Sequence, residues 1–168
     1  SVWTTAWGSV HKSSLYHNNG VRSPKNITYC EDFHLMARLC YFADKVVSID
    51  RPLYNYRQQS SSIMHNIDER TWMSARIVYK EIIDFFRKYG EIETYKKTLS
   101  WRTINAAKNM TLDSSRFEEF NNYNPDKKKY IWDCPYIGFK IKVLAWLITH
   151  DCEPIAIIII WLRKLLGR

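Results

Sequence analysis

The chain has 168 residues, 46% of them apolar and 15% aromatic, with only five Gly and five Pro. That is about one domain's length with enough apolar side chain for a sizeable core, which excludes an intrinsically disordered or low-complexity chain. The net charge is +8, distributed as 7 basic against 4 acidic residues over 1–66, 10 against 9 over 67–122 and 8 against 4 over 123–168. A protein that coats nucleic acid shows a sharper basic stripe, whereas anionic small molecules and an anionic membrane surface fit this mild excess equally well.

The first segment, 1–66, alternates short apolar runs with turn signals. Asn18-Asn19-Gly20 reads as a turn or a helix C-cap, because Gly20 can take a positive φ. Ser23-Pro24 imposes an extended stretch. Over 29–43 the residues Phe33, Leu35, Met36, Leu39, Cys40 and Phe42 recur at spacings of three and four, which predicts a helix with Glu31 and Asp32 in its first turn. Val46-Val47-Ser48-Ile49 predicts a short strand ended by Asp50-Arg51-Pro52, and 53–57 alternates like a second strand before a polar loop over 58–62.

The second segment, 67–122, reads as helical. Trp72, Ala75, Val78, Ile82 and Phe86 lie at helical spacing before Tyr89-Gly90 ends the run. Another helix is predicted over 91–109 and a short one after Asp113-Ser114. The third segment, 123–168, opens on a polar hinge, Asn124-Pro125-Asp126-Lys127-Lys128-Lys129. Two hydrophobic runs follow over 137–148 and 154–166, interrupted by Asp151, Glu153 and Pro154. Each is about 12 residues long, short of the roughly 20 that a bilayer span needs. Trp146, Trp161 and flanking Lys and Arg suit a helix pair lying in a membrane interface, and packing on the protein itself or on a second copy is the alternative.

Cys30, Cys40, Cys134 and Cys152 form no CxxC pair and no zinc-spaced cluster, so reduced thiols in a cytosolic setting are expected. Ser1-Val2-Trp3-Thr4 has neither an initiator Met nor signal-peptide character and reads as though cut from something longer. No Gly-rich phosphate loop, HExxH or GxSxG occurs, and His11, His17, His34, His65 and His150 are scattered. The chemically suggestive spot is Glu31-Asp32. A carboxylate opening a helix can serve as a base if it faces a cleft, and it can equally do no more than complement the helix dipole.

The order of signals adds to this. Trp7, Gly20-Val21-Arg22-Ser23-Pro24, Tyr29-Cys30-Glu31-Asp32-Phe33, Pro52-Leu53-Tyr54-Asn55-Tyr56-Arg57 and Ser62-Ile63 follow one another over about residues 3–66. This succession resembles the second half of the GT-A-fold domain of bacterial family 2 glycosyltransferases. The resemblance implies an α/β fold of GT-A type lacking its nucleotide-binding half, followed by a mainly α-helical C-terminal region, so that the chain is predominantly helical with a few short strands.

It further implies that Asp32 is the general base of an inverting transfer and that Glu31 supports it. Arg57 and Ser62 would reach the donor's diphosphate, and Trp7 would offer a flat face to a sugar ring. A divalent metal, Mg or Mn, is expected in the complete enzyme, with its ligands mostly in the other half. His65 is a weak candidate ligand here, and no Asp-x-Asp occurs in the chain. The partners implied are a nucleotide-sugar donor and a polysaccharide or lipid-linked acceptor, with peripheral membrane contact through 136–168, possible homo-oligomerisation and no nucleic acid. The location implied is the cytoplasmic face of the cell membrane. The resulting expectation is the acceptor-side portion, 1–66, of a glycosyltransferase that is inactive by itself, followed by a helical region, 67–122, and hydrophobic helices, 123–168. The alternative is a helical interaction module or enzyme remnant without catalysis.

Overall fold

The computed structural model describes residues 5–51, 53–55, 57 and 68–166. Among them the regular structure is wholly helical: α1 (Ser13–Asn18), α2 (Glu31–Phe42), α3 (Glu69–Lys88), α4 (Ile92–Ala107), α5 (Phe117–Tyr123), α6 (Phe139–Thr149) and α7 (Glu153–Leu165), joined in places by 3₁₀ turns. The chain divides into two compact units, Ser1–Ile82 and Ile83–Arg168, and α3 contributes residues to both.

The expected α/β architecture of GT-A type is therefore corrected, since no strand and no sheet form among the described residues. Residues 46–49 and the described part of 53–57 have the alternation of strands but no ladder, and Val47, Ile49 and Leu53 are exposed. A strand exists through hydrogen bonds to a neighbour, and β-branched alternation signals fit to a pleated, half-buried surface rather than an intrinsic backbone preference. No such neighbour occurs among the described residues.

In the first unit, α1 ends where Gly20 takes φ 60° and lets the Val21 amide return to the Tyr16 carbonyl at 3.0 Å. Val21 then packs with Met36 and Leu39 of α2, with Leu15, Tyr16, Leu35 and Phe42 around them. α3 starts at a side-chain cap. Asp68 Oδ1 accepts from the Thr71 amide (2.8 Å) and from Thr71 Oγ1 (2.7 Å), and these bonds hold the Asp68 carboxyl below its usual range. α3 buries Ala75, Val78, Ile82 and Phe86 on one stripe and closes where Gly90, at φ 75°, allows the Glu91 amide to reach the Phe86 carbonyl.

The core of the second unit gathers Ile104 of α4, Phe117 and Phe120 of α5, Leu144 and Ile148 of α6 and Ala156 and Ile160 of α7. α6 buries Leu144, Ala145, Leu147 and Ile148, so of the two hydrophobic runs it is the one absorbed into the core. Asp151, at φ 59°, turns the chain into α7, with the Cys152 amide bonded to the Leu147 carbonyl at 2.9 Å. All four cysteines are free, and burial pushes the Cys134 thiol up.

The polar run at 124–129 is not a solvated hinge. Asn124 caps a 3₁₀ helix, Pro125–Tyr130, by accepting from the Asp126 amide, and its Nδ2 donates to Thr103 Oγ1 of α4 at 3.0 Å. Lys127, 1% exposed, donates Nζ–H to the carbonyls of Asn121 (3.0 Å) and Asn124 (3.1 Å) and lies over the Phe120 ring. The three-lysine run looked uniform in sequence, yet 3₁₀ geometry turns one of the three inward.

Burial pushes the Lys127 ammonium down to about 7 from its ordinary 10.5. Between these values the unfolded chain binds more protons than the folded one, so this group makes stability rise with pH from about 7 to 10.5 and opposes folding fully below 7. Lys127→Met removes that titration. Urea midpoints measured at pH 7 and pH 9.5 are expected to rise more in the wild type than in the variant, and equal changes would refute a buried, titrating Lys127.

Candidate functional site

The candidate site is built on the opening of α2. Its N-cap, Cys30, takes the left-handed conformation, φ 64° and ψ 11°, which costs a residue with a β-carbon roughly 1–2 kcal/mol. That backbone is held in place by side-chain packing. Cys30 Sγ lies 3.8 Å from Tyr79 Oη, the Phe33 ring packs on Tyr79 at 5.4 Å between centroids, and Tyr29 meets Trp72 edge-on at 6.3 Å. The first turn of α2 is thus docked on α3 from both sides of the Glu31-Asp32 pair.

Glu31 and Asp32 are half-buried, and neither has an ion-pair partner among the described residues. They occupy the positive end of the helix, where a carboxylate is favoured. Two residues on, His34 is 4% exposed and fully engaged. Its Nε2 lies 2.7 Å from a carboxylate oxygen of Glu81 on α3, and Arg38 Nη2 lies 2.9 Å from its Nδ1. Because a guanidinium can only donate, the ring proton belongs on Nε2, pointing at Glu81. Arg38 also donates to the Arg22 carbonyl at 2.6 Å. Burial first, and the Arg38 charge second, hold the His34 imidazole below its usual range, while Glu81 opposes them.

Trp7 lies on a 3₁₀ turn, Ala6–Gly8, that packs beside α2. Its ring stacks on Tyr54 at 4.4 Å between centroids and 27° between planes, and the two side chains stay 40% and 53% exposed. Stacked aromatic faces left open to solvent suit the apolar C–H face of a pyranose ring. Sequence reasoning picked Trp7 and passed over Tyr54, although Tyr54 lies in the same Leu53-Tyr54-Asn55 run that suggested Arg57. Cys30 and His34 were also missed as positioning residues, since neither a positive φ nor a buried ion pair has a sequence signal.

The structure thus brings Trp7 and its turn to the helix that carries Glu31 and Asp32. Arg57 lies exposed beyond Tyr54, and no contact joins it to the carboxylate pair among the described residues. Ser62 and His65 lie outside the described residues. No group of three or more His, Cys, Asp or Glu side chains suited to a metal ion occurs among the described residues.

No protein-family model and no solved structure matches the chain. Over 96 residues, 56% of the chain, it is 25% identical to the Bacillus subtilis (strain 168) protein described as "Putative glycosyltransferase EpsH", and the matched part spans 28% of that protein's length. The chain is thus distantly similar, over part of its length, to a protein described as a glycosyltransferase.

The His34 arrangement has a measurable consequence. A folded-state value below the ordinary 6.5 means that the imidazole's contribution to stability is present above pH 6.5 and lost as pH falls through the lowered value. His34→Gln keeps a donor toward Glu81 and removes the titration. The wild type's advantage in melting temperature over the variant is expected to shrink between pH 7.5 and pH 5. A gap that stays constant would show that another group titrates.

Proposed function

We propose that this chain supplies the acceptor side of a family 2 glycosyltransferase that moves a sugar, with inversion, from a nucleoside-diphosphate donor to a saccharide or lipid-linked hydroxyl. The observation that carries the reading is the half-buried Asp32, without an ion-pair partner among the described residues, at the opening of α2, the helix against which the turn bearing the exposed Trp7–Tyr54 stack packs. The partial similarity to a protein described as a glycosyltransferase points the same way.

In this reading an acceptor sugar lies on the Trp7–Tyr54 rings with a hydroxyl at Asp32. As the acceptor oxygen attacks the anomeric carbon, an Asp32 oxygen takes its proton, and the anomeric carbon–oxygen bond to the diphosphate breaks with its electron pair leaving on the phosphate oxygen. A single displacement inverts the anomeric centre and needs no nucleophile from the protein. Glu31 supports Asp32, its neighbour in the first turn of α2. His34, clamped as a neutral ring, fixes the turn of helix that holds Asp32. Arg57 and Ser62 meet the departing diphosphate, where negative charge develops. The complete enzyme works at the cytoplasmic face of the membrane, and the donor nucleotide is held by residues other than those of this chain. The chain alone is therefore proposed to bind acceptor without turnover.

The test is Asp32→Asn in the enzyme that contains this chain, assayed with nucleotide-sugar donors. Removing a general base is expected to lower kcat by about 10²–10⁴-fold with the melting temperature unchanged. Turnover within a factor of two of the wild type would remove Asp32 from the reaction.

The Trp7–Tyr54 platform is tested separately. Trp7→Ala and Tyr54→Ala are each expected to raise the acceptor KM about tenfold while leaving the donor KM alone. A rise in donor KM instead would place the stack on the other substrate.

A further inference from the structure

α7 carries more apolar surface than the core uses. Ala156 and Ile160 face inward and are buried. Ile155, Ile157, Ile158, Ile159, Trp161, Leu162 and Leu165, with Leu166 just past the helix end, are 37–71% exposed. At 3.6 residues per turn these eight fall within an arc of roughly 200°, centred opposite the buried pair. Isolated exposed apolar residues need no explanation, but a contiguous stripe along a whole helix does.

The charges around the stripe select its occupant. Arg163 is exposed at the border between the apolar and buried faces, and Lys140 is exposed on α6, which the His150–Cys152 turn folds against α7. Of the four acidic residues over 123–168, Asp126 is paired with Lys96 at 3.5 Å and Asp133 with Lys97 at 3.1 Å. Asp151 and Glu153 are confined to the turn end of the hairpin. The segment 123–168 is net basic, with 8 basic against 4 acidic residues, and it carries the exposed Arg163 on α7 itself. A second copy placed on the stripe would bring together two chains of net charge +8.

We infer that α7 lies in the interface of an anionic bilayer, with the Ile158–Leu165 side of the helix immersed and Arg163 at headgroup level. The 13 residues of α7 extend about 20 Å, against a hydrocarbon core of about 30 Å. No described helix is long and apolar enough to cross a membrane. A short helix held by one apolar face in the core, with a second apolar face, a Trp and a cation left exposed, suits a position in the surface plane of a bilayer. α6 differs, because most of its apolar side chains pack in or against the core and only Phe139, at its start, stands exposed. The inference is independent of the sugar-transfer reading and survives its failure.

The test uses the whole chain with extruded vesicles of phosphatidylcholine alone and of phosphatidylcholine with 30% phosphatidylglycerol, read by flotation. Preferential partition to the anionic vesicles is expected, weakened by 0.5 M NaCl. Ile158→Glu with Leu165→Glu is expected to reduce partition at least ~100-fold, from the lost burial of two large side chains. Arg163→Gln is expected to reduce it about fivefold. Because these positions are exposed, helix content by circular dichroism should not change, and Ile158→Leu should bind as the wild type does. Failure of the wild type to partition overturns the inference, as does undiminished partition of the double variant or indifference to lipid charge. A dimer in solution that the double variant dissociates, without vesicle binding, assigns the stripe to a second copy and overturns it as well.

Discussion

The arrangement of the candidate site depends on one buried histidine. His34 is held on one side by the Glu81 carboxylate and on the other by the Arg38 guanidinium, which also reaches the Arg22 carbonyl. A single imidazole therefore ties α2 to α3 and to the segment that follows α1. Burying an imidazole is costly unless both ring nitrogens find partners, and here the ring accepts at Nδ1 and donates at Nε2. The direction of both bonds follows from the chemistry of Arg38, which has only donors. Deeper protonation would place a positive ring against a guanidinium, so the same geometry that fixes the helix also keeps the ring neutral. The left-handed Cys30 and the first turn of α2 are held on α3 by a second set of contacts, Cys30 and Phe33 on Tyr79 and Tyr29 on Trp72.

The second unit uses comparable logic with a different group. Lys127 points its ammonium at two carbonyls that end the α5 region, while Asn124 bonds to Thr103 on α4 and Asn121 to the Ile148 carbonyl on α6. Lys127 and Asn121 thus satisfy carbonyls where helices stop, at positions where an apolar residue would leave them bare, while Asn124 ties its segment to the Thr103 hydroxyl of α4. Desolvation of the lysine is the counterweight, and its lowered pKa measures it.

Helices were the legible part of the sequence because their signal is local. The periodicities of 29–43, of 72–86 and of the two hydrophobic runs correspond to α2, α3, α6 and α7 within a few residues at each end. The turns were legible too: Gly20 and Gly90 both sit at positive φ. The expected α/β architecture failed, because the described residues of 46–49 and 53–57 have no neighbouring strand to form a ladder with among the described residues. In the site, Glu31, Asp32 and Trp7 could be singled out by residue type and order. Cys30, His34 and Tyr54 could not, because their roles arise from what α3 and the Ala6–Gly8 turn bring next to them. The buried Lys127 was hidden between two solvated lysines that differ from it only in direction.

Two features share a cause that goes beyond any single element. An apolar pattern in sequence records contacts, and it does not say with what. In α2 and α6 those contacts are internal, so pattern and burial agree. At 46–49 and along α7 the side chains follow a period that presupposes a surface, yet they stand exposed among the described residues. Consistency between pattern and burial is the rule in a folded chain, and departures concentrate where function or partners lie. The departures here differ in kind. The segment over 46–49 forms no strand among the described residues, so its alternation has no ladder to answer to there. α7 satisfies its own backbone and leaves only apolar side chains outside, so it calls for a non-directional medium with no register to match. A hydrocarbon layer meets that requirement with no complementary shape, and the cation at its border selects the sign of the surface above it.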